Sequence, residues 1–261
     1  MKIYCCQFDI EWEDKKANFT KVHAMISTEG VEPDSLVVLP ELFATGFSMN
    51  VAELAEQNES VTEQFLADTA RRFHVFLLGG MIGKDKRGFG RNECALFSPE
   101  GKFITRYCKV QPFSPGGESK HYVPGERIVV TPWHGFALAP FICYDLRFPE
   151  LFRFAMRRGA NLFTVIASWP IARIQHWVTL LQARAIENQA YVVGVNRCGT
   201  DPTLTYNGRS IIVNPASEII ADAQNSEHII HADVNLDALN TYRFELPFLK
   251  DVRTDYDKLV V

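Results

Sequence analysis

Apolar runs of strand length alternate with helical spacings along the whole chain. The opening KIYCCQFDI reads as a strand. Over residues 14–29, Phe19, Val22, Met25 and Ile26 then recur at the spacing of one helix face. DSLVVLPE is a short buried strand stopped at Pro40. VTEQFLADTARRFH reads as a helix and VFLLGGMIG as the strand after it. ECALFSPEGKFITRYCKV predicts a hairpin, with Pro99 to Gly101 supplying the turn. Farther on, FALAPFICY, ANLFTVIAS, AYVVGVNRCG, RSIIVNP and SEIIADA read as strands, with helices around 149–158 and across 175–189.

The order begins β-α-β-α-β, adds hairpins and returns to β-α-β-α-β. Strands this apolar on both faces are normally covered by a layer on each side, which predicts a layered α/β architecture. No linker, repeat or low-complexity segment divides the 261 residues, so one domain over 1–261 is expected. A polar tail from about Asn240 is expected to run over the surface or onto a partner subunit.

Composition narrows the classes. With 47% hydrophobic residues the chain can fill a sizeable core, and a net charge of -4 offers no basic excess for nucleic acid. No apolar run approaches the roughly 18 residues of a membrane helix. The N-terminus turns acidic from Asp9, too early for a secretory signal. A cytoplasmic protein is expected. Its six cysteines form no CxxC pair, and most should be small buried hydrophobes kept reduced.

Cys143 differs from the other five in its setting. It ends the apolar run FALAPFIC, and Pro149 and Glu150 then suit the first turn of a helix that Gly159 closes. A thiol at the carboxyl end of a strand lies where α/β proteins hold ligands. The turn into the helix also offers backbone N–H groups to a thiolate or oxyanion. A nucleophile further needs a base and a group to hold negative charge. Glu41, just past the strand of DSLVVLPE, and Lys109, at the end of the face shared by Phe103, Thr105 and Tyr107, share this strand-end placement. Each alone reads equally as a capping glutamate or a solvated lysine; together they suit acyl transfer.

Around these residues, LPELF, YCKVQPF and ICYDLRFPEL resemble the three signature motifs of the nitrilase superfamily of carbon–nitrogen hydrolases, in order and spacing. The similarity runs over nearly the whole chain, including LLQARAIENQAYVVGVNRCG. The resemblance implies a four-layer αββα sandwich and a Glu–Lys–Cys catalytic set without metal or organic cofactor. Glu41 would then be general base and acid, Cys143 the nucleophile, and Lys109 an oxyanion donor beside the backbone N–H of Tyr144. The family often adds a glutamate after the lysine; GGESKHYVPGE offers Glu118 and Glu126, and its pattern favours Glu118 as the group that orients Lys109.

Within the superfamily, CYD and the short chain resemble the omega-amidase branch, which removes the terminal amide of alpha-ketoglutaramate or alpha-ketosuccinamate. Such substrates carry a distal carboxylate. Arg173 is the first choice to hold it and Arg147 the rival, unless Arg147 pairs with Asp145; Phe47 and Trp169 are expected to wall the pocket. Deaminated glutathione and N-carbamoyl amino acids are alternative substrates, and a non-catalytic binding protein on the same fold is the alternative of another class. The resemblance also implies a homodimer through PELFRFAMRRG and the 175–189 helix.

Other motifs carry less. GFSMN misses the last position of a serine-hydrolase elbow, and GFGRNE is only part of a dinucleotide loop. His228 and His231, three apart on a strand, face opposite ways and do not suit one metal. His134 and His176 are the available bases for a papain-like Cys–His alternative, without a local pattern to support either.

Overall fold

The computed structural model describes residues 1–57, 60–253 and 255. The first half of the chain runs β1 (Lys2–Gln7), α1 (Lys15–Glu29), β2 (Leu36–Val38), α2 (Val51–Leu54), α3 (Val61–Phe73), β3 (Phe76–Lys84), β4 (Gly90–Phe97) and β5 (Phe103–Cys108). The second half runs β6 (Thr131–Trp133), β7 (Phe136–Ile142), α4 (Pro149–Arg157), β8 (Leu162–Ala167), α5 (Ile174–Asn188) and β9 (Tyr191–Asn196). It ends with β10 (Cys198–Thr200), β11 (Thr205–Asn207), β12 (Ile211–Val213), β13 (Ile219–Asp222), β14 (His228–Asp233) and α6 (Leu236–Glu245).

Two six-stranded sheets form, in the orders β14-β1-β2-β3-β4-β5 and β13-β12-β9-β8-β7-β6, and β10 and β11 make a separate small hairpin. The βαβ units place β1, β2 and β3 parallel in one sheet and β7, β8 and β9 parallel in the other. Hairpin connections supply the antiparallel margins.

Alternation along the strands builds the layers. On β1, Ile3 and Cys5 enter the central core, while Tyr4 and Cys6 join the apolar cluster that holds Val22 and Ile26 of α1 and Leu66 and Ala70 of α3. On β2, Leu36 and Val38 face the centre and Val37 faces the helices. The central core also takes Leu138 and Phe141 of β7 with Phe152 of α4 and Leu181 of α5. Helices, sheet, sheet and helices thus stack as the expected αββα sandwich, and both faces of each inner strand are apolar because both are covered.

Local chemistry sets the helix starts. The Asp14 carboxylate accepts from Ala17 N at 2.9 Å to begin α1, Ser60 caps α3 through Glu63 N, and Pro149 opens α4. The stretch after Asn240 begins inside α6, which Arg243 ties to the end of α5 by donating to the Gln189 carbonyl at 2.8 Å. Residues 254 and 256–261 of that expected tail lie outside the described residues. His228 and His231 both lie on β14, and no described helix is long and apolar enough to cross a membrane.

Candidate active site

Four chemically active residues stand just beyond strand ends: Glu41 after β2, Lys109 after β5, Cys143 after β7 and Ser168 after β8. Glu41, Lys109, Cys143 and Ser168 line one cleft. The chain turns sharply at two of these points. Leu42, next to Glu41, has φ 46° and Cys143 itself has φ 47°, a left-handed conformation that costs a non-glycine residue about 1–3 kcal/mol. Gly80 of β3 makes room for the first turn, since a Cβ there would stand 2.5 Å from Leu42 N and 2.9 Å from Glu41 Cα.

Lys109 sits between two carboxylates. Its Nζ donates to Glu41 Oε1 at 2.9 Å and to Glu118 Oε2 at 2.9 Å, and all three side chains are essentially inaccessible to solvent. Burial alone would lower the lysine's proton affinity, but Glu118 and then Glu41 outweigh it and hold the ammonium well above the usual lysine range. Glu118 begins a single 3-10 turn and also accepts from Phe113 N. Glu126, the other glutamate of that loop, is exposed and lines a different groove.

Asn92 of β4 completes the buried group, donating to Glu41 Oε1 at 2.7 Å and to Glu118 Oε1 at 2.8 Å. The second oxygen of Glu41 accepts the Ser168 N–H at 2.8 Å. Sequence reading missed Asn92. Its signal was a polar residue in phase with Cys94 and Leu96, which face the central core.

Burial and the Glu41 charge push the Cys143 thiol well above its ordinary range, with Lys109 and a Ser168 backbone hydrogen bond pulling the other way. The sulfur therefore rests protonated and needs a base beside it to become a nucleophile. Glu41 is the carboxylate in the same cleft. His134 and His176 do not line it; His134 Nε2 lies 3.1 Å from the Asp34 carbonyl, and His176 Nδ1 lies 3.3 Å from Arg147 Nη2.

An ion pair between Asp145 and Arg147 does not form. Asp145 is fully buried and accepts instead from Tyr107 Oη at 2.8 Å, Gln111 N at 2.9 Å and Ile142 N at 3.0 Å. Burial pushes its carboxyl up to about 7 against these bonds and the charge of Lys109. Asp145 thus ties the turn at the thiol to the strand and loop that carry the lysine.

Arg147 is free to face the cleft, where it lies over the Trp169 ring at 4.7 Å, while Arg173 lies over Phe113 at 5.5 Å. Neither guanidinium has a carboxylate partner among the described residues. Burial and the charge of Arg173 lower the Arg147 pKa, as expected for two cations sharing one mouth without an anion. Phe47 and Trp169 both line the cleft, Phe47 with its ring 5.3 Å from Lys109 Nζ. Leu204 and Tyr206, from the β10–β11 hairpin, also line it and carried no signal in the sequence.

A sandwich that brings a half-buried thiol together with a buried carboxylate and ammonium in one cleft is suited to acyl transfer from nitrogen, and comparison with known proteins agrees. Residues 2–244 match the carbon–nitrogen hydrolase family model, and the chain belongs to that family. It is 37% identical to the omega-amidase YafV of Yersinia enterocolitica, over 96% of this chain and 96% of that one. It is 33% identical to the 2-oxoglutaramate amidase of Bacillus subtilis, over 97% and 98%. Among solved structures, the carbon–nitrogen hydrolase superfamily protein XC1258 of Xanthomonas campestris superposes with a TM-score of 0.92 at 30% identity, covering 97% of each chain.

Removing the ammonium would leave two carboxylates facing each other in a dry site. Lys109→Met is therefore expected to destabilise the fold by about 3–5 kcal/mol, as does breaking a buried pair from one side. Urea unfolding of Lys109→Met and of the double variant Lys109→Met/Glu118→Gln checks this: the second change should recover part of the loss, whereas a single variant as stable as wild type would contradict it.

Proposed function

We propose that the protein is an omega-amidase, hydrolysing the terminal amide of alpha-ketoglutaramate or alpha-ketosuccinamate to the dicarboxylate and ammonia. One observation carries the reading: Cys143, Glu41 and Lys109 line a cleft that also holds two guanidiniums with no carboxylate partner among the described residues. The first group suits the amide, the second the carboxylate at the substrate's other end. The names of the relatives, omega-amidase and 2-oxoglutaramate amidase, support the same substrate class.

In the proposed reaction Glu41 takes the proton of the Cys143 thiol as sulfur attacks the amide carbonyl. The carbonyl oxygen becomes an oxyanion held by Lys109 Nζ and the backbone N–H of Tyr144. Glu41 passes the proton to nitrogen, the C–N bond breaks and ammonia leaves, giving a thioester. Water then gives a proton to Glu41 and attacks the thioester, and the proton returns to sulfur as the C–S bond breaks. Glu118 and Asn92 act as positioning residues, holding Lys109 and Glu41 in register. Arg173, with Arg147 beside it, binds the distal carboxylate between the rings of Phe47 and Trp169.

We also read the protein as one domain, cytoplasmic and dimeric. Its six free cysteines suit a reducing compartment. Phe154 on α4 and Ile186 on α5 are exposed on two helices that pack together, as expected of a covered face.

Ammonia release from alpha-ketoglutaramate tests the activity: Cys143→Ala is expected to abolish it, and equal activity of variant and wild type would contradict the nucleophile. Arg173→Met is expected to lower kcat/KM for that substrate roughly 10- to 100-fold, the worth of a hydrogen bond to a charged group. It should do much less to a neutral primary amide of the same length; equal losses on both would contradict a carboxylate contact.

Light scattering at micromolar concentration should give a dimer, which Phe154→Glu/Ile186→Glu converts to monomers. A monomeric wild type would overturn the dimer.

A further inference from the structure

We infer that the Ser168 hydroxyl receives an N–H of the scissile amide, so that Ser168 is the residue that distinguishes a primary amide from an ester at this site. The inference rests on the reaction proposed above and adds to it a contact for the leaving nitrogen.

The argument starts from the two oxygens of Glu41. Oε1 is taken by Asn92 Nδ2 at 2.7 Å and Lys109 Nζ at 2.9 Å, so both its lone-pair directions are used. Among the described residues Oε2 has one donor, the Ser168 N–H at 2.8 Å. The lone pair left to exchange a proton therefore belongs to Oε2, on the Ser168 side of the carboxylate. A nitrogen that takes its proton there comes to rest against Ser168.

The Ser168 side chain is prepared for such a neighbour. The residue lines the cleft, is 7% exposed, and its Oγ is buried with no hydrogen-bond partner among the described residues. A buried hydroxyl without a partner carries a desolvation penalty that a bound ligand can relieve. The ligand atom that fits is a donor. As the carbonyl is attacked, Glu41 Oε2 hands its proton to the nitrogen's lone pair, and one of that nitrogen's two N–H groups finds an acceptor in Ser168 Oγ. The carbonyl oxygen is already provided with donors on the Lys109 side. An ester oxygen in place of nitrogen carries no hydrogen to donate to Ser168 Oγ and at best accepts weakly from it.

The test is single-turnover acylation of the full-length enzyme by alpha-ketoglutaramate and by its terminal methyl ester, read as the first-turnover release of ammonia or methanol. In Ser168→Ala the amide-to-ester rate ratio is expected to fall about 10-fold, the effect of losing one hydrogen bond. Ser168→Thr, which keeps the hydroxyl, should retain most of the wild-type ratio and guards against a variant that merely packs badly. A ratio unchanged in Ser168→Ala, with wild-type release still dependent on Cys143, overturns the Ser168 contact alone. Wild-type release that does not depend on Cys143 overturns the reaction proposed above and the Ser168 contact with it.

Discussion

The whole site depends on one buried ammonium. Taking Lys109, Glu41 and Glu118 out of water costs several kcal/mol per ion, and only their mutual attraction with good hydrogen bonds repays it. The bonds at 2.9 Å from Nζ to each carboxylate meet that condition, and Asn92 fastens the two carboxylates to each other from the side away from Ser168. One positive charge between two negative ones leaves the trio with a net negative charge beside a thiol. Burial first, and then the Glu41 charge, keep Cys143 protonated at rest, and in the proposed reaction Glu41 is the group that activates it.

The scaffold holds this arrangement by bending the chain where the chemistry is. Cys143 and Leu42 both adopt positive φ, and the cost is met by the sheets on either side. Gly80 gives Glu41 the approach it needs, and Asp145 joins the Cys143 turn to Tyr107 and Gln111 on the lysine side. The two sheets contribute from opposite sides of the central core: Glu41, Asn92 and Lys109 come from the first, Cys143 and Ser168 from the second. A site divided in this way forms only when the sandwich closes.

Much of this was legible in the chain. The longer helices and most strands followed from periodicity, whereas the short elements β6, β11 and α2, and the helix α6 where a polar tail was expected, carried no such pattern. Glu41, Lys109 and Cys143 stood out as chemically active groups at strand ends, and the three motifs around them supplied the family and the roles proposed for them. What stayed hidden depends on contacts between distant residues. Asn92 lies 51 positions from Glu41 and 26 from Glu118, and nothing local marks it except its phase within β4. The partner of Asp145 stayed hidden: the sequence offered only its near neighbour Arg147 as an alternative, while Tyr107 reaches it from 38 residues away. Arg147 and Arg173 were ranked as rivals, yet the fold brings both to one mouth.

The central claim, that Lys109 is held charged by the two carboxylates around it, is open to direct measurement by NMR titration of side-chain lysine resonances, with Lys109 assigned by substitution. The account predicts that Lys109 keeps its proton at a pH where the exposed lysines have lost theirs, and that Glu118→Gln brings its titration down. A Lys109 that titrates with the surface lysines or below them, unaffected by Glu118→Gln, would contradict it.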